Sequence, residues 1–460
     1  MLINATRKRH QRQRVSHHCA EADSLCFFNL LTSPELLDAI EAHLPEHRER
    51  VFPPTETLSL FLTQVMNTDQ SCQHIVNQAA IQRMAMGLAP CSTHTGGYCR
   101  ARQRLPIDLI KHLSCLLGTR LSEQSAQHWC WRQRRVLLAD GTTVTMPDTP
   151  ENQCEFPQQG GQLPGLGFPI CRIVGITCLG SGALINAAIG KFNGKGSGET
   201  GLLRSLQDSV QRGDVLLGDA FYATYFFMAE MIAKGVDLVM EQHGSRRRRT
   251  DFRRGHRLGV RDHVVQIDKP LQPDWMSDEE YAAAASSITV RECQTAGRVL
   301  VTTVCDASIH KSELGELYQR RWQVELDIRN IKDTMGMNIL SCKTPEMAIK
   351  EIWVTLLAYN LIRLMMAQSA LLADVVPRTL SFKHCLQLWL SWQQQQCTGE
   401  GRMDYRLLFA LMAQQRVGTR PGRVEPRAVK RRPKAYPLLR KPRVEARQHV
   451  LNFGHPRKLK

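Results

Sequence analysis

Near residue 131 the hydrophobic pattern of this chain changes period, and that change constrains the fold more than any other feature. Upstream, over residues 25–130, apolar side chains recur three and four apart, as in Leu36–Leu44 and Leu58–Met66, the spacing of helices with one buried face. Pro53-Pro54-Thr55 ahead of Glu56 marks one helix start. Downstream, the segments 136–146, 171–179, 183–192, 215–217 and 236–240 are short apolar runs bounded by turn residues, which reads as strands. Amphipathic helices are expected at Glu199–Val210 and from about Tyr222 to Lys234. Three strands, then helix, strand, helix and strand, make a mixed α/β sheet.

The remaining organisation follows from composition. Residues 243–298 are Arg-rich, then strand-like at His263–Ile267 and Ile288–Glu292, and read as an insertion into that sheet. Arg298–Cys305 returns as a strand, and a long helix is expected from about Lys311. The domain order expected is a helical region over 1–130, a core in two parts (131–242 and 299–373) around the β-rich insertion 243–298, a helical region 374–416 and a basic tail 417–460.

Charge then narrows the function. The 460 residues carry a net +17, which favours a polyanionic partner such as nucleic acid. The excess is concentrated in residues 417–460, with 14 Lys/Arg against 2 Glu, in the first 15 residues, and between Ser245 and Arg261, which hold eight arginines including Arg246, Arg247, Arg248 and Arg249 in a row. Solvated tails explain the termini as well as binding does. An internal cluster between strands, continuing through Arg253 and Arg254, points more directly to a phosphate surface. Arg100, Arg102 and Arg104 lie near an expected helix entrance, where backbone phosphate contacts and an ordinary basic surface are equal readings.

Other classes are disfavoured. The 18 uncharged residues between Arg172 and Lys191 are interrupted by Gly180-Ser181-Gly182, a turn between two strands, and 352–373 carries Asn360 and Arg363, so no membrane span is expected. The N-terminus lacks the apolar run of a signal peptide, and the expected location is the cytoplasm, at the nucleoid. The 15 cysteines contain no C-x-x-C pair, and the spacing of Cys91, His94 and Cys99 fits no standard zinc pattern, so zinc is not expected.

Chemistry concentrates at three acids. Asp140 follows Val136–Ala139 and Asp219 follows Val215–Gly218, so both stand at strand ends or bends, where a carboxylate is costly unless exposed, paired or bound to a cation. An Asp before a turn is common, so neither is decisive alone. In the helix expected from Lys311, Tyr318, Arg321, Glu325 and Lys332 have offsets of 0, 3, 7 and 14. At about 100° per residue they fall within roughly a 60° sector. An Arg321–Glu325 surface pair explains two of the four; a phosphate-holding stripe with a metal-binding acid explains all. Carboxylates about 4 Å apart repel by several kcal/mol per pair at an effective dielectric of about 20, which calls for hard divalent cations, Mg²⁺ or Mn²⁺. Two such ions suit in-line phosphoryl transfer.

The pattern Tyr318-x₂-Arg321-x₃-Glu325-x₆-Lys332 resembles the signature of the insertion-sequence-four family of bacterial DDE transposases, and the surroundings of Asp140 and Asp219 resemble that family's first two acidic motifs. Order and spacing agree, with 79 residues from Asp140 to Asp219 and 106 to Glu325, and the resemblance covers residues 131–373. It implies a ribonuclease-H-like core in which Asp140, Asp219 and Glu325 bind two Mg²⁺ or Mn²⁺ ions while Tyr318, Arg321 and Lys332 hold phosphates. It implies cleavage of double-stranded DNA at element ends, a hairpin intermediate, strand transfer into target DNA and a DNA-bound homodimer. Trp275 matches the insertion-domain tryptophan that holds a flipped base in relatives, although a tryptophan packed inside the insertion is an equal reading. The arginines 246–249, 253 and 254 would line DNA beside it. The alternatives are a non-catalytic basic nucleic-acid-binding protein and a ribonuclease-H-like nuclease without strand transfer.

Overall fold

The computed structural model of the chain describes residues 51–85, 87, 89, 91–194, 196–242, 250–396, 405–418 and 439–455. The basic N-terminus, the helix expected at Leu36–Leu44, Arg246–Arg249 and most of the basic tail lie outside the described residues.

The strands are β1 (Val136–Thr145), β2 (Ile170–Cys178), β3 (Leu184–Lys191), β4 (Val215–Gly218), β5 (Asp237–Glu241), β6 (His256–Gly259), β7 (Asp262–Asp268), β8 (Ser287–Thr295) and β9 (Arg298–Thr302). They form one nine-stranded sheet in the order β3-β2-β1-β4-β5-β9-β8-β7-β6. β1, β4 and β5 run parallel at its centre, and every other neighbouring pair is antiparallel. The strands read from 243–298 therefore continue the central sheet through β9, which pairs with β5 at Val239–Glu241.

Parallel central strands need cover on both faces, which is why Val136–Ala139 and Val215–Gly218 are buried at every position. The α-helices among the described residues are α1 (Pro54–Met66), α2 (Cys72–Ala85), α3 (Gly96–Arg104), α4 (Ile107–Glu123), α5 (Pro150–Glu155), α6 (Glu199–Arg204), α7 (Tyr225–Lys234), α8 (Asp278–Ala283), α9 (Lys311–Gln319), α10 (Gln323–Arg329), α11 (Pro345–Leu372), α12 (Phe382–Gln396), α13 (Tyr405–Ala413) and α14 (Arg443–Phe453). On one face α11 forms the axis of the largest core, with Leu109, Leu113 and Leu117 of α4, Phe61 of α1 and Phe409 of α13 around it. At 28 residues α11 is long and apolar enough to cross a membrane, but 89% of its apolar window is buried inside the protein, the pattern of a core helix. On the other face α7 sets Phe227 and Met231 against Leu137, Val174 and Leu216 of the strands.

Two residues fix how closely α4 and α11 approach the sheet. A Cβ on Gly118 would stand 1.8 Å from the Leu184 carbonyl oxygen, so only glycine permits this approach. Asn360 donates from Nδ2 to the carbonyls of Ser114 (2.9 Å) and Leu184 (2.8 Å) and accepts the Leu184 amide at 2.8 Å. The polar interruption of the apolar run at 352–373 is thus the joint between two helices and an edge strand. Helix 199–210 is shorter than its periodicity suggests. It stops at Arg204, and a 3₁₀ turn takes over at Gln207–Ser209, where Asp208 and Ser209 are poor helix-interior residues.

Candidate active site

The register of β1 opens the site. β1 pairs with β4 only from Val136 to Leu138, and then runs on while β4 ends at Gly218. Asp140 lies just beyond the last paired residue and Asp219 just beyond the strand end, so both acids border the same gap. Asp140 Oδ1 accepts the Gly141 amide at 2.8 Å. Asp219 caps the 3₁₀ turn Ala220–Tyr222, its Oδ1 accepting the Phe221 amide at 2.8 Å. Burial pushes the Asp140 carboxyl up to about 6; the Gly141 amide and Arg321 oppose the rise, while the charges of Asp219 and Glu325 add to it. Both other acids are therefore within electrostatic reach of Asp140.

The helix carrying the third acid is continuous but not regular. α9 passes into a 3₁₀ turn at Arg320–Trp322, then α10, then a π turn at Asn330–Thr334. The uniform 100° step expected from the sequence does not hold along it. Tyr318 lies in the last turn of α9 and Arg321 in the 3₁₀ turn that follows it. Arg321 then spans two acids: Nη2 donates to Glu325 Oε1 at 2.9 Å and Nη1 lies 3.7 Å from Asp140 Oδ2. Lys332, inside the π turn, donates to Thr143 O at 2.8 Å and Thr142 Oγ1 at 3.2 Å, fastening the helix to β1 two and three residues beyond Asp140. Arg321, Glu325 and Lys332 therefore meet the strand that bears Asp140. Tyr318 is buried with Leu314, Leu317 and Val324, and burial is the main cause of its raised phenol pKa.

Beside these groups is a cavity of about 330 Å³ lined by Ala296, Arg298, Leu300, Tyr318, Arg321 and Trp322. Trp322 is 58% exposed and Phe221, two residues after Asp219, is 50% exposed. Neither was singled out from the sequence, because a hydrophobic pattern assigns such residues to a core. Their exposure next to Arg321 and Asp219 is visible only in three dimensions.

Trp275 lies against Arg204 of α6, with the Arg204 Cζ 3.8 Å from the ring centroid, and edge-on to Phe226 at 6.1 Å. It is half-exposed and packs on α6 and α7, not within a core of the insertion. Arg253 and Arg254 are exposed, and Arg253 pairs with Asp251 at 2.9 Å. Among the upstream arginines, Arg100 and Arg104 are exposed, whereas Arg102 is buried over the rings of Phe61 and Tyr98 in the last turn of α3. Its contact is with the protein interior, so the phosphate reading of that residue is set aside. Among the described residues no group of three His, Cys, Asp or Glu side chains is placed to hold a metal ion as it stands.

Residues 131–361 match the family described as Transposase DDE domain. The chain is 29% identical over 352 residues to Transposase InsG for insertion sequence element IS4 of Escherichia coli (strain K12), an overlap covering 74% of this chain and 77% of that protein. Among solved structures it is similar to a piggyBac transposase synaptic complex with hairpin DNA, at a TM-score of 0.43 and 12% identity over 87% of each chain. With half of its length inside the transposase domain, two acids flanking one gap and a third on the Tyr-Arg-Glu-Lys helix, the chain belongs to the IS4 family of DDE transposases.

Proposed function

We propose that this transposase cleaves double-stranded DNA at the ends of its insertion sequence and transfers the freed ends into target DNA, using Asp140, Asp219 and Glu325 as its metal-binding triad in a ribonuclease-H-like core. The observation that carries the reading is the single guanidinium of Arg321, hydrogen-bonded to Glu325 and 3.7 Å from Asp140, with Asp219 close enough to raise the Asp140 carboxyl. A buried carboxylate in mutual repulsion with two others is a hard-oxygen donor set short of positive charge, which suits Mg²⁺ or Mn²⁺. Two such ions bound there would activate the attacking oxygen and stabilise the leaving one.

The remaining roles belong to the chain's own groups. Arg321 balances two of the acids in this state and is the fixed cation that would meet a DNA phosphate. Lys332 uses two of its three donors on Thr142 and Thr143, leaving one for a phosphate oxygen. Tyr318 forms part of the wall of the cavity beside Arg321. Trp275, with one face on Arg204 and half its surface free, is suited to stack an unpaired base during hairpin formation. Arg246–Arg249, Arg253 and Arg254 would track the duplex. A homodimer on paired ends, working at the nucleoid in the cytoplasm, completes the proposal.

The test is strand cleavage and joining of a linear DNA carrying the element ends, with Mg²⁺. The Asp140→Ala, Asp219→Ala and Glu325→Ala variants should each lose nicking, hairpin and joined products while retaining DNA binding. Cleavage retained in all three would reject the triad, and cleavage without joining by the wild-type protein would reduce the assignment to a nuclease.

A further inference from the structure

A fourth carboxylate meets the same stretch of β1. Side chains alternate along a strand, so position 141 addresses the face opposite to position 140. Position 141 is a glycine, and the space this leaves is filled by Glu199, whose Cδ and Oε1 lie 2.7 and 3.0 Å from where a Cβ would stand. Because the Asp140 carboxylate turns onto the Gly141 amide at 2.8 Å, the two acids border one peptide unit from two sides.

Glu199 is weakly held. Its closest cation is Arg172, at 3.7 Å from Nε to Oε1, too long for a hydrogen bond. That Nε is buried and has no hydrogen-bond partner among the described residues, while Arg172 Nη1 is committed to the Ser197 carbonyl at 2.8 Å. Behind Glu199 is Tyr222, on the 3₁₀ turn that Asp219 caps. Tyr222 is fully buried, its hydroxyl makes no hydrogen bond of regular geometry among the described residues, and its phenol pKa is raised first by burial and then by Glu199, with Asp140 and Asp219. A buried hydroxyl without a well-made hydrogen bond is destabilising. Here it is set among three acids, a further like-charge burden that a cation relieves.

We propose that Glu199 is a fourth carboxylate of the metal centre, and that the Tyr222 hydroxyl positions it there by donating to it. The proposal rests on the reading of Asp140, Asp219 and Glu325 as cation ligands. It explains a glycine at 141, a loosely paired Glu199 and a phenol buried beside these acids together.

The experiment is titration of Mn²⁺ alone into the full chain, with free Mn²⁺ followed by electron paramagnetic resonance, on the wild type, Asp219→Asn, Glu199→Gln and Gly141→Ala. Gly141→Ala displaces the Glu199 carboxylate without altering any acid. Partners of metal ligands are typically worth about 10–100-fold in affinity, so Glu199→Gln and Gly141→Ala should each weaken Mn²⁺ binding about tenfold or more, with circular dichroism showing both variants folded. If Asp219→Asn loses Mn²⁺ while both other variants bind as the wild type does, the Glu199 proposal is overturned and the triad stands. Mn²⁺ binding that is the same in the wild type and Asp219→Asn overturns the triad reading, and the Glu199 proposal with it.

Discussion

Asp140→Asn should stabilise the metal-free protein, and the gain should depend on pH. The Asp140 side chain is 17% exposed, and its carboxyl is raised from 3.8 to about 6, chiefly by burial. Each tenfold change in protonation is ~1.4 kcal/mol, so a rise over about two decades amounts to about 3 kcal/mol held against the folded state once the group is ionised. The folded protein binds this proton more tightly than the unfolded chain. Stability from this group is therefore greatest below about pH 4, falls as pH rises through about 6, and is level above that. Asparagine removes the charge and keeps an oxygen for the Gly141 amide, while Arg321 retains Glu325. Urea unfolding in EDTA, followed by tryptophan fluorescence at pH 4, 5.5 and 7.5, should show Asp140→Asn near wild type at pH 4 and up to about 3 kcal/mol more stable at pH 7.5. Adding Mg²⁺ at pH 7.5 should stabilise the wild type and leave the variant unmoved. A difference that does not vary with pH, or a variant less stable at pH 7.5, would refute the argument that the carboxylate is desolvated and charge-repelled in the folded state.

Other consequences are equally open to measurement. Gly118→Ala should destabilise by about 3 kcal/mol or more, seen as a lower urea midpoint, because the new Cβ meets a backbone carbonyl at 1.8 Å and no side-chain rotation relieves it. Asn360→Ala removes three hydrogen bonds from the core and leaves the Leu184 amide without its side-chain acceptor, so it should destabilise by about 1–3 kcal/mol or more, read as a lower urea midpoint. Arg102→Ala should lower the midpoint without changing the salt dependence of DNA binding, since Arg102 is buried over Phe61 and Tyr98. Arg254→Ala should show the reverse, with unchanged stability and a log–log salt slope smaller by about 0.9; identical slopes would remove it from the DNA surface.

The acids and the Tyr-Arg-Glu-Lys motif were legible without a structure because a carboxylate interrupting or ending an apolar run and a fixed residue spacing are local signals; that Asp140 sits inside β1, with the strand continuing to Thr145, was not. So were β1, β4 and the turn at Gly180–Gly182, whose apolar runs and glycines act over a few residues. The buried Arg102 was not. A helix of basic residues looks solvent-facing in one dimension, and only the rings of Phe61 and Tyr98 packed around its guanidinium show otherwise. The uniform helical step expected from Tyr318 to Lys332 does not hold, because a 3₁₀ turn at Arg320–Trp322 and a π turn at Asn330–Thr334 interrupt it, and spacing along the chain does not show such turns.

Local sequence alone determined which segments alternate as strand or helix, which acids interrupt or follow the apolar runs, and where positive charge gathers, since each follows from neighbours close along the chain. Tertiary structure decided what those acids meet. That Arg321 bridges Asp140 and Glu325, that Glu199 fills the space beside Gly141, and that Tyr222 is buried beside these acids all depend on chain segments tens to hundreds of residues apart being packed together. The physical reason is that burial and Coulomb interaction depend on distance through space, which no one-dimensional spacing contains.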